Sequence, residues 1–289
     1  MSSINIFHLA DIKLPVAKNR LLLFFVGMNL LFTGIDVVLA HSINDYIPVY
    51  EWIPIIYFPF GAISCLVIAM QTQPKKWTAL IHIALMLTGI IVGVLGTAFH
   101  AYAVLNPEGY LTWAWVVFGS PILAPLAFAG ISLLGLYAVT QEINDEPGML
   151  KVPGVGIIKA PISRDRHFLW LVGLGFAASA VTSIIDHAQY GYTFYKMIPI
   201  VFGLFSSSVV LYLAAAKEWS KGDENVYFWT MIAAVIVGVL GFGFHLASDL
   251  AGTGALSLER ILAFAPILAP LLYSDLGMLG LLVVAEETK

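Results

Sequence analysis

Residues 77–101 read WTALIHIALMLTGIIVGVLGTAFHA, and residues 226–246 read VYFWTMIAAVIVGVLGFGFHL. Neither stretch carries an Asp, Glu, Lys or Arg, and both reach the roughly 20 apolar residues that a crossing of the bilayer hydrocarbon requires. At an offset of 145 residues (92 to 237), Val92-Gly93-Val94-Leu95-Gly96 falls on Val237-Gly238-Val239-Leu240-Gly241, and Phe99-His100 falls on Phe244-His245. Length and polarity predict membrane helices, and the recurrence predicts a duplicated chain.

Working outward, six more apolar runs can be read, so that the eight are Leu21 to Ala40, Trp52 to Met70, Trp77 to Ala101, Leu111 to Val139, Phe168 to Tyr190, Met197 to Ala216, Val226 to Leu246 and Ile261 to Ala285. With 60% hydrophobic against 11% charged residues, too little polar material remains to coat soluble domains of this size. The fold class expected is an all-α integral membrane protein. The first run follows a polar segment and lacks a small-residue cleavage site, which reads as a retained helix rather than a removed signal peptide.

The duplication extends beyond the opening stretch. Pro121-Ile122-Leu123-Ala124-Pro125 recurs as Pro266-Ile267-Leu268-Ala269-Pro270, and Ile53-Pro54-Ile55 as Ile198-Pro199-Ile200. An offset of 146 aligns Val26-Gly27 with Val172-Gly173 and His41 with His187. The expected organisation is an N-terminal segment 1–20, a four-helix repeat 21–140, a linker 141–167, a second four-helix repeat 168–286 and a tail 287–289. An even number of crossings per repeat relates the halves by a pseudo-twofold axis along the membrane normal.

Cation placement sets the orientation. Lys13, Lys18, Arg20, Lys75, Lys76, Lys151, Lys159, Arg164, Arg166, Lys217, Lys221 and Lys289 fall in one set of connections, and only Lys196 and Arg260 in the other. Positively charged loops are retained on the cytoplasmic side, so both termini are expected in the cytoplasm and the membrane is expected to be the cell's inner membrane.

Orientation then gives depth. His41, His100, His187 and His245 all fall at extracytoplasmic helix ends, two from each half, with Asp36 and Asp186 nearby. Gly89, Gly93 and Gly96 lie on a stripe within about 40° of His100 at ~100° per residue, and small residues let helices approach closely in lipid. Ionisable groups in spanning segments mark pockets or paths. Imidazoles and carboxylates together suit a transition metal, copper or iron first and zinc next. Haem is the alternative, with His100 and His245, or His41 and His187, as axial ligands. Against that set stands the plain reading of histidines at the water interface and aspartates hydrogen-bonded to Asn29, Thr33, Thr182 or Ser183.

The remaining singular residues have mostly structural readings. Cys65, the single cysteine, rules out a disulfide framework. The paired prolines bend helices four and eight and free carbonyls toward a cavity. Asp275 lies near mid-membrane, where it is either a proton-path residue or a locally satisfied acid. His82, His167 and His8 are assigned no chemistry. Tyr50, Tyr195 and the tryptophans at helix ends read as interfacial anchors.

No nucleotide-binding, nucleophile-elbow or HExxH pattern occurs, and no basic patch suits nucleic acid. Three functional classes stay open. The first is a membrane metalloprotein carrying out redox or oxygen chemistry on a small or lipid-soluble substrate, as an oxidoreductase would. The second is a transporter for a small solute or metal ion. The third is a non-catalytic subunit of a larger membrane complex, haem-containing ones included. Expected partners are the lipid bilayer and either such subunits or further copies of the chain.

Overall fold

The computed structural model describes residues 14, 16–42, 45–105, 109–143, 146–251 and 266–285. Lys13 and His8, Arg260, the start of the eighth run at Ile261, and the tail with Lys289 lie outside the described residues. The chain is helical almost throughout. The long helices are α1 (Lys18–Ser42), α2 (Trp52–Met70, entered through a 3-10 turn at Val49–Glu51) and α3 (Lys76–Leu105). After these come short α4 (Trp113–Phe118) and α5 (Leu126–Ala138), then α6 (Arg164–Ala188), α7 (Phe194–Ala215), α8 (Lys221–Leu250) and α9 (Leu271–Val284). Among the described residues, six helices are long and apolar enough to cross a membrane: α1, α2 with its entry turn, α3, α6, α7 and α8.

The fourth apolar run is broken rather than bent. Gly119 ends α4, and Pro121 and Pro125 lack the N–H groups that an α-helix would need there. Between them the backbone tightens to three-residue bonds, Ala124 N to Pro121 O at 3.2 Å and Leu126 N to Leu123 O at 3.0 Å. The same turn precedes α9, with Ala269 N to Pro266 O at 3.1 Å and Leu271 N to Leu268 O at 3.0 Å. Two prolines four residues apart remove two donors from one turn, and that stops a helix instead of kinking it.

Helices pair as α1 with α2, α6 with α7, α3 with α5 and α8 with α9, while α1 against α9 and α5 against α6 join the halves. The glycine stripe faces protein: a Cβ on Gly93 would sit 2.6 Å from Ala129 N, and one on Gly238 would sit 2.5 Å from Ser274 N. Buried Leu22, Leu30, Met86 and Phe128, with Phe168, Phe176, Tyr227 and Met231, fill the interior. Cys65 packs against Met86, its thiol 3.9 Å from the Met86 sulfur. Phe24, Phe60, Ile81, Ile91, Trp229 and Leu240 are exposed, an apolar exterior that only lipid would solvate favourably.

Residues that differ at matching positions keep the same bond. Buried His82 places Nε2 3.1 Å from Gly135 O, and Tyr227, 145 positions later, donates from its hydroxyl to Gly280 O at 2.9 Å. His82 is thus spent on packing, its other ring nitrogen 3.1 Å from Ser64 Oγ.

At the cation-rich end, charges close helix C-termini, whose last carbonyls lack intrahelical partners and carry partial negative charge. Arg20 Nε donates to Ala69 O at 2.7 Å at the end of α2, and Arg166 Nη1 to Ala214 O at 3.1 Å at the end of α7. Two further ties cross between halves. Lys18 donates to Val283 O and pairs with Asp165 at 3.3 Å. Arg164 Nη1 donates to Thr140 O at 2.8 Å and to Asn19 Oδ1 at 2.7 Å.

The linker is a small antiparallel meander, β1 (Gln141–Glu142), β2 (Met149–Val152) and β3 (Gly156–Lys159), in the order β1-β2-β3. Its first turn needs Gly148, which has φ +87°, a conformation that costs other residues a steric clash at Cβ. Glu142 accepts from Gly148 N at 2.6 Å and from Arg164 N at 3.2 Å, so the meander caps the start of α6.

Candidate functional site

The four histidines project from the ends of α1, α3, α6 and α8 that lie opposite the cation-rich end. They meet as two pairs, one in each half. The His41 and His100 ring centres are 6.3 Å apart with planes at 52°, and those of His187 and His245 are 6.5 Å apart at 69°. The cross-half pairings expected for axial haem ligation, His100 with His245 and His41 with His187, are not the ones that form.

The proline breaks orient one ring of each pair. His100 Nδ1 lies 2.9 Å from Pro121 O, and His245 Nδ1 lies 2.9 Å from Pro266 O. A carbonyl can only accept, so Nδ1 carries the proton, and in a neutral imidazole Nε2 is left with a free lone pair. The other ring of each pair has an unmet requirement: His41 Nδ1 and His187 Nδ1 are buried without a hydrogen-bond partner. Carbonyl-anchored Nδ1–H with a free Nε2 is the outer-shell arrangement that metal-ligating histidines use.

The aspartates do not join them. Asp36 and Asp186 are exposed, and among the described residues no three His, Cys, Asp or Glu side chains form a group that could hold a metal ion. Helix geometry explains this, because Asp36 is about 140° round the helix from His41 and Asp186 about 100° from His187. Asn29 is committed elsewhere, its amide donating to Asp275 Oδ1 at 3.0 Å across the junction of the halves. Asp275 is therefore a locally satisfied acid joining α1 to α9. Asp275→Asn should keep this contact and change stability by less than about 1 kcal/mol, whereas Asp275→Leu leaves the Asn29 amide only its bond to Phe25 O and should cost about 1–3 kcal/mol. Thermal unfolding in detergent would measure both.

Three charged residues missed by sequence reasoning border the pairs. Tyr50 stacks on Phe99 at 4.7 Å, which sets Glu51 beside the end of α3, buried and within electrostatic reach of His100. Tyr195 meets Phe244 at 5.9 Å, and the next residue, Lys196, lies within reach of His187. The two tyrosines are packing contacts at the site as well as interfacial residues. Asp249, one turn beyond His245 on α8, is 1% exposed, and neither carboxylate oxygen has a hydrogen-bond partner. The repeat offset was the available signal, since it sets Glu51 opposite Lys196.

No family model, curated protein or solved structure matches the chain.

Proposed function

We propose that the chain is an integral inner-membrane metalloprotein. It crosses the bilayer eight times as two four-helix repeats about a pseudo-twofold axis along the membrane normal, with both termini cytoplasmic. Its transition-metal chemistry resides in histidine pairs near the extracytoplasmic face. The observation that carries this reading is the twice-built pair, in which one imidazole is anchored through Nδ1 to a proline carbonyl and faces a second imidazole whose buried nitrogen lacks a partner.

The eight-crossing topology is supported by connectivity. Arg164, at the start of α6, bonds to Asn19, at the start of α1, so these two ends share a side. Three long helices separate them, which favours a fourth crossing through α4, the proline break and α5. Lys18 bonded to Val283 supports the same of the second half. At ~1.5 Å per residue α5 alone reaches about 20 Å, short of the roughly 30 Å hydrocarbon core, so α4 supplies the remainder.

The imidazoles of each half, with ring centres 6.3 and 6.5 Å apart, are close enough that one transition-metal ion would be held by both rings of a pair. Copper and iron would suit such a nitrogen pair, zinc would be accepted, and haem iron is the alternative that a within-half pair would hold. When bound, copper or iron would supply redox or oxygen chemistry toward a small or lipid-soluble substrate. The protein's share is to fix the tautomers of His100 and His245 and to keep the site at the membrane edge, where such a substrate arrives. Asp36 and Asp186 are not needed as ligands.

Elemental analysis and an optical spectrum of purified protein test the proposal. At least one equivalent of copper, iron, zinc or haem per chain is expected, and the double variant His100→Ala with His245→Ala should lose it. Wild-type protein without a stoichiometric metal, even after reconstitution, would sink the reading.

A further inference from the structure

The two histidine pairs are built alike but are set among different charges. The ring separations, the proline carbonyl on Nδ1 and the tyrosine packed on the residue before the α3 or α8 histidine all recur. The residue after that tyrosine does not: it is Glu51 in the first half and Lys196 in the second. Both charges are held in place. Glu51 is buried in the turn that opens α2. Lys196 Nζ donates to Gly191 O at 2.9 Å and lies 5.5 Å from the centre of the Tyr190 ring, which keeps it over the segment that follows His187.

We infer that the two pairs are inequivalent: His41 and His100, beside Glu51, bind a divalent transition-metal cation, while Lys196 keeps the His187–His245 pair free of one. The inference rests on the metal reading above and adds to it which pair is loaded. Two neutral imidazoles bring no charge to a site, so a nearby fixed charge decides whether a dication is compensated or opposed. In the poorly solvated margin of a helix bundle that difference is worth at least about tenfold in affinity. Glu51 acts through its charge, because it does not complete a three-ligand group with the histidines. Two carboxylates among the described residues oppose the inference, Asp186, which is exposed beside His187, and Asp249. Asp249 lies a helical turn past His245, about 6 Å further along α8, whereas Lys196 is held over the segment that directly follows His187 by its bond to Gly191 O.

The test is titration of metal-free, detergent-purified full-length protein with cupric ion. Equilibrium dialysis gives the stoichiometry, and electron paramagnetic resonance shows whether nitrogen ligands surround the metal. Wild type should bind one tight equivalent with two-nitrogen coupling. His41→Ala or His100→Ala should lose it, and His187→Ala or His245→Ala should retain it. Glu51→Gln should weaken binding at least tenfold, while Glu51→Asp, which keeps the charge, should stay within a few-fold and so separates charge from folding. Lys196→Glu should create a second tight equivalent that His245→Ala removes. Two equal equivalents in wild type, with the second lost in Asp249→Asn, would overturn the inequivalence and leave the metalloprotein reading standing. Absence of bound copper, or binding indifferent to all four histidines, would overturn both.

Discussion

Replacing Arg164 by Met is expected to destabilise the protein by about 3–5 kcal/mol, measured as a fall in unfolding midpoint in detergent. The guanidinium is 6% exposed and links three elements through Thr140 O, Asn19 Oδ1 and the Asp165 carboxylate, which lies 3.8 Å from its Nε. Methionine fills much of the volume but leaves the Asn19 amide oxygen without its donor, leaves Thr140 O with only the Asn19 amide at 3.2 Å, and removes the cation beside Asp165, and orphaning buried groups is costlier than never having paired them. Arg164→Lys should recover only part of the loss, because an ammonium is a point charge and cannot span the acceptors as the planar fork does. Arg20→Met, which removes a single cap on Ala69 within one half, should cost about 1–2 kcal/mol. A melt of the Arg164→Met protein within about 1 kcal/mol of wild type would mean that apolar packing alone holds the halves together.

That role for Arg164 bears on what the sequence can and cannot disclose. Counting Lys and Arg predicts a side of the membrane from Lys18, Arg20, Arg164 and Arg166 alike, yet it cannot say that each one closes another helix. Hydropathy locates the long helices well, and α2 begins at Trp52 and ends at Met70 as expected. It stops short where a helix continues into polar residues: α8 starts at Lys221, set by the Ser220–Asp223 capping box rather than by the first apolar residue. The run from 111 to 139 is apolar throughout, so composition conceals its break. Only the paired loss of N–H groups at Pro121 and Pro125 reveals it. The linker reads as irregular because its strands are two to four residues long, too short for an alternating pattern to register.

The candidate site was legible as a set of positions and not as an assembly. Depth placed His41, His100, His187 and His245 at one end of the bundle, and repetition tied them two by two. Which two meet depends on helix neighbours, and a periodic sequence does not encode those directly. The expected pseudo-twofold axis would allow pairing within halves as readily as across them. The carboxylates drew attention because of their proximity in sequence, whereas helical rotation carries Asp36 and Asp186 off the histidine face. Glu51 and Lys196, opposite each other in the repeat, were visible only as loop charges until the Tyr50–Phe99 and Tyr195–Phe244 contacts brought them to the rings.

The glycines that bring the proline breaks to the histidines give the second large expected effect. Gly93→Val and Gly238→Val should each cost about 3 kcal/mol or more, since the added side chain meets backbone, Ala129 N and Pro125 O in one half and Ser274 N and Pro270 O in the other. Backbone cannot rotate away as a side chain can, so the helices must separate. Gly130→Ala and Gly243→Ala are the controls, because nothing lies within 4 Å of a Cβ there; helix propensity alone should leave them neutral or stabilised by about 0.5–1 kcal/mol. Separation of α3 from α5 also draws Pro121 O away from His100 Nδ1. On the metalloprotein proposal, the Gly93→Val protein should therefore fail to hold the proposed metal at temperatures where it is still folded, as judged by helical circular dichroism. Gly238→Val should lose comparable stability yet keep the metal, because it disturbs only the His245 side. Equal metal loss in both variants would point to general loosening of the bundle rather than to a site built on the α3–α5 contact.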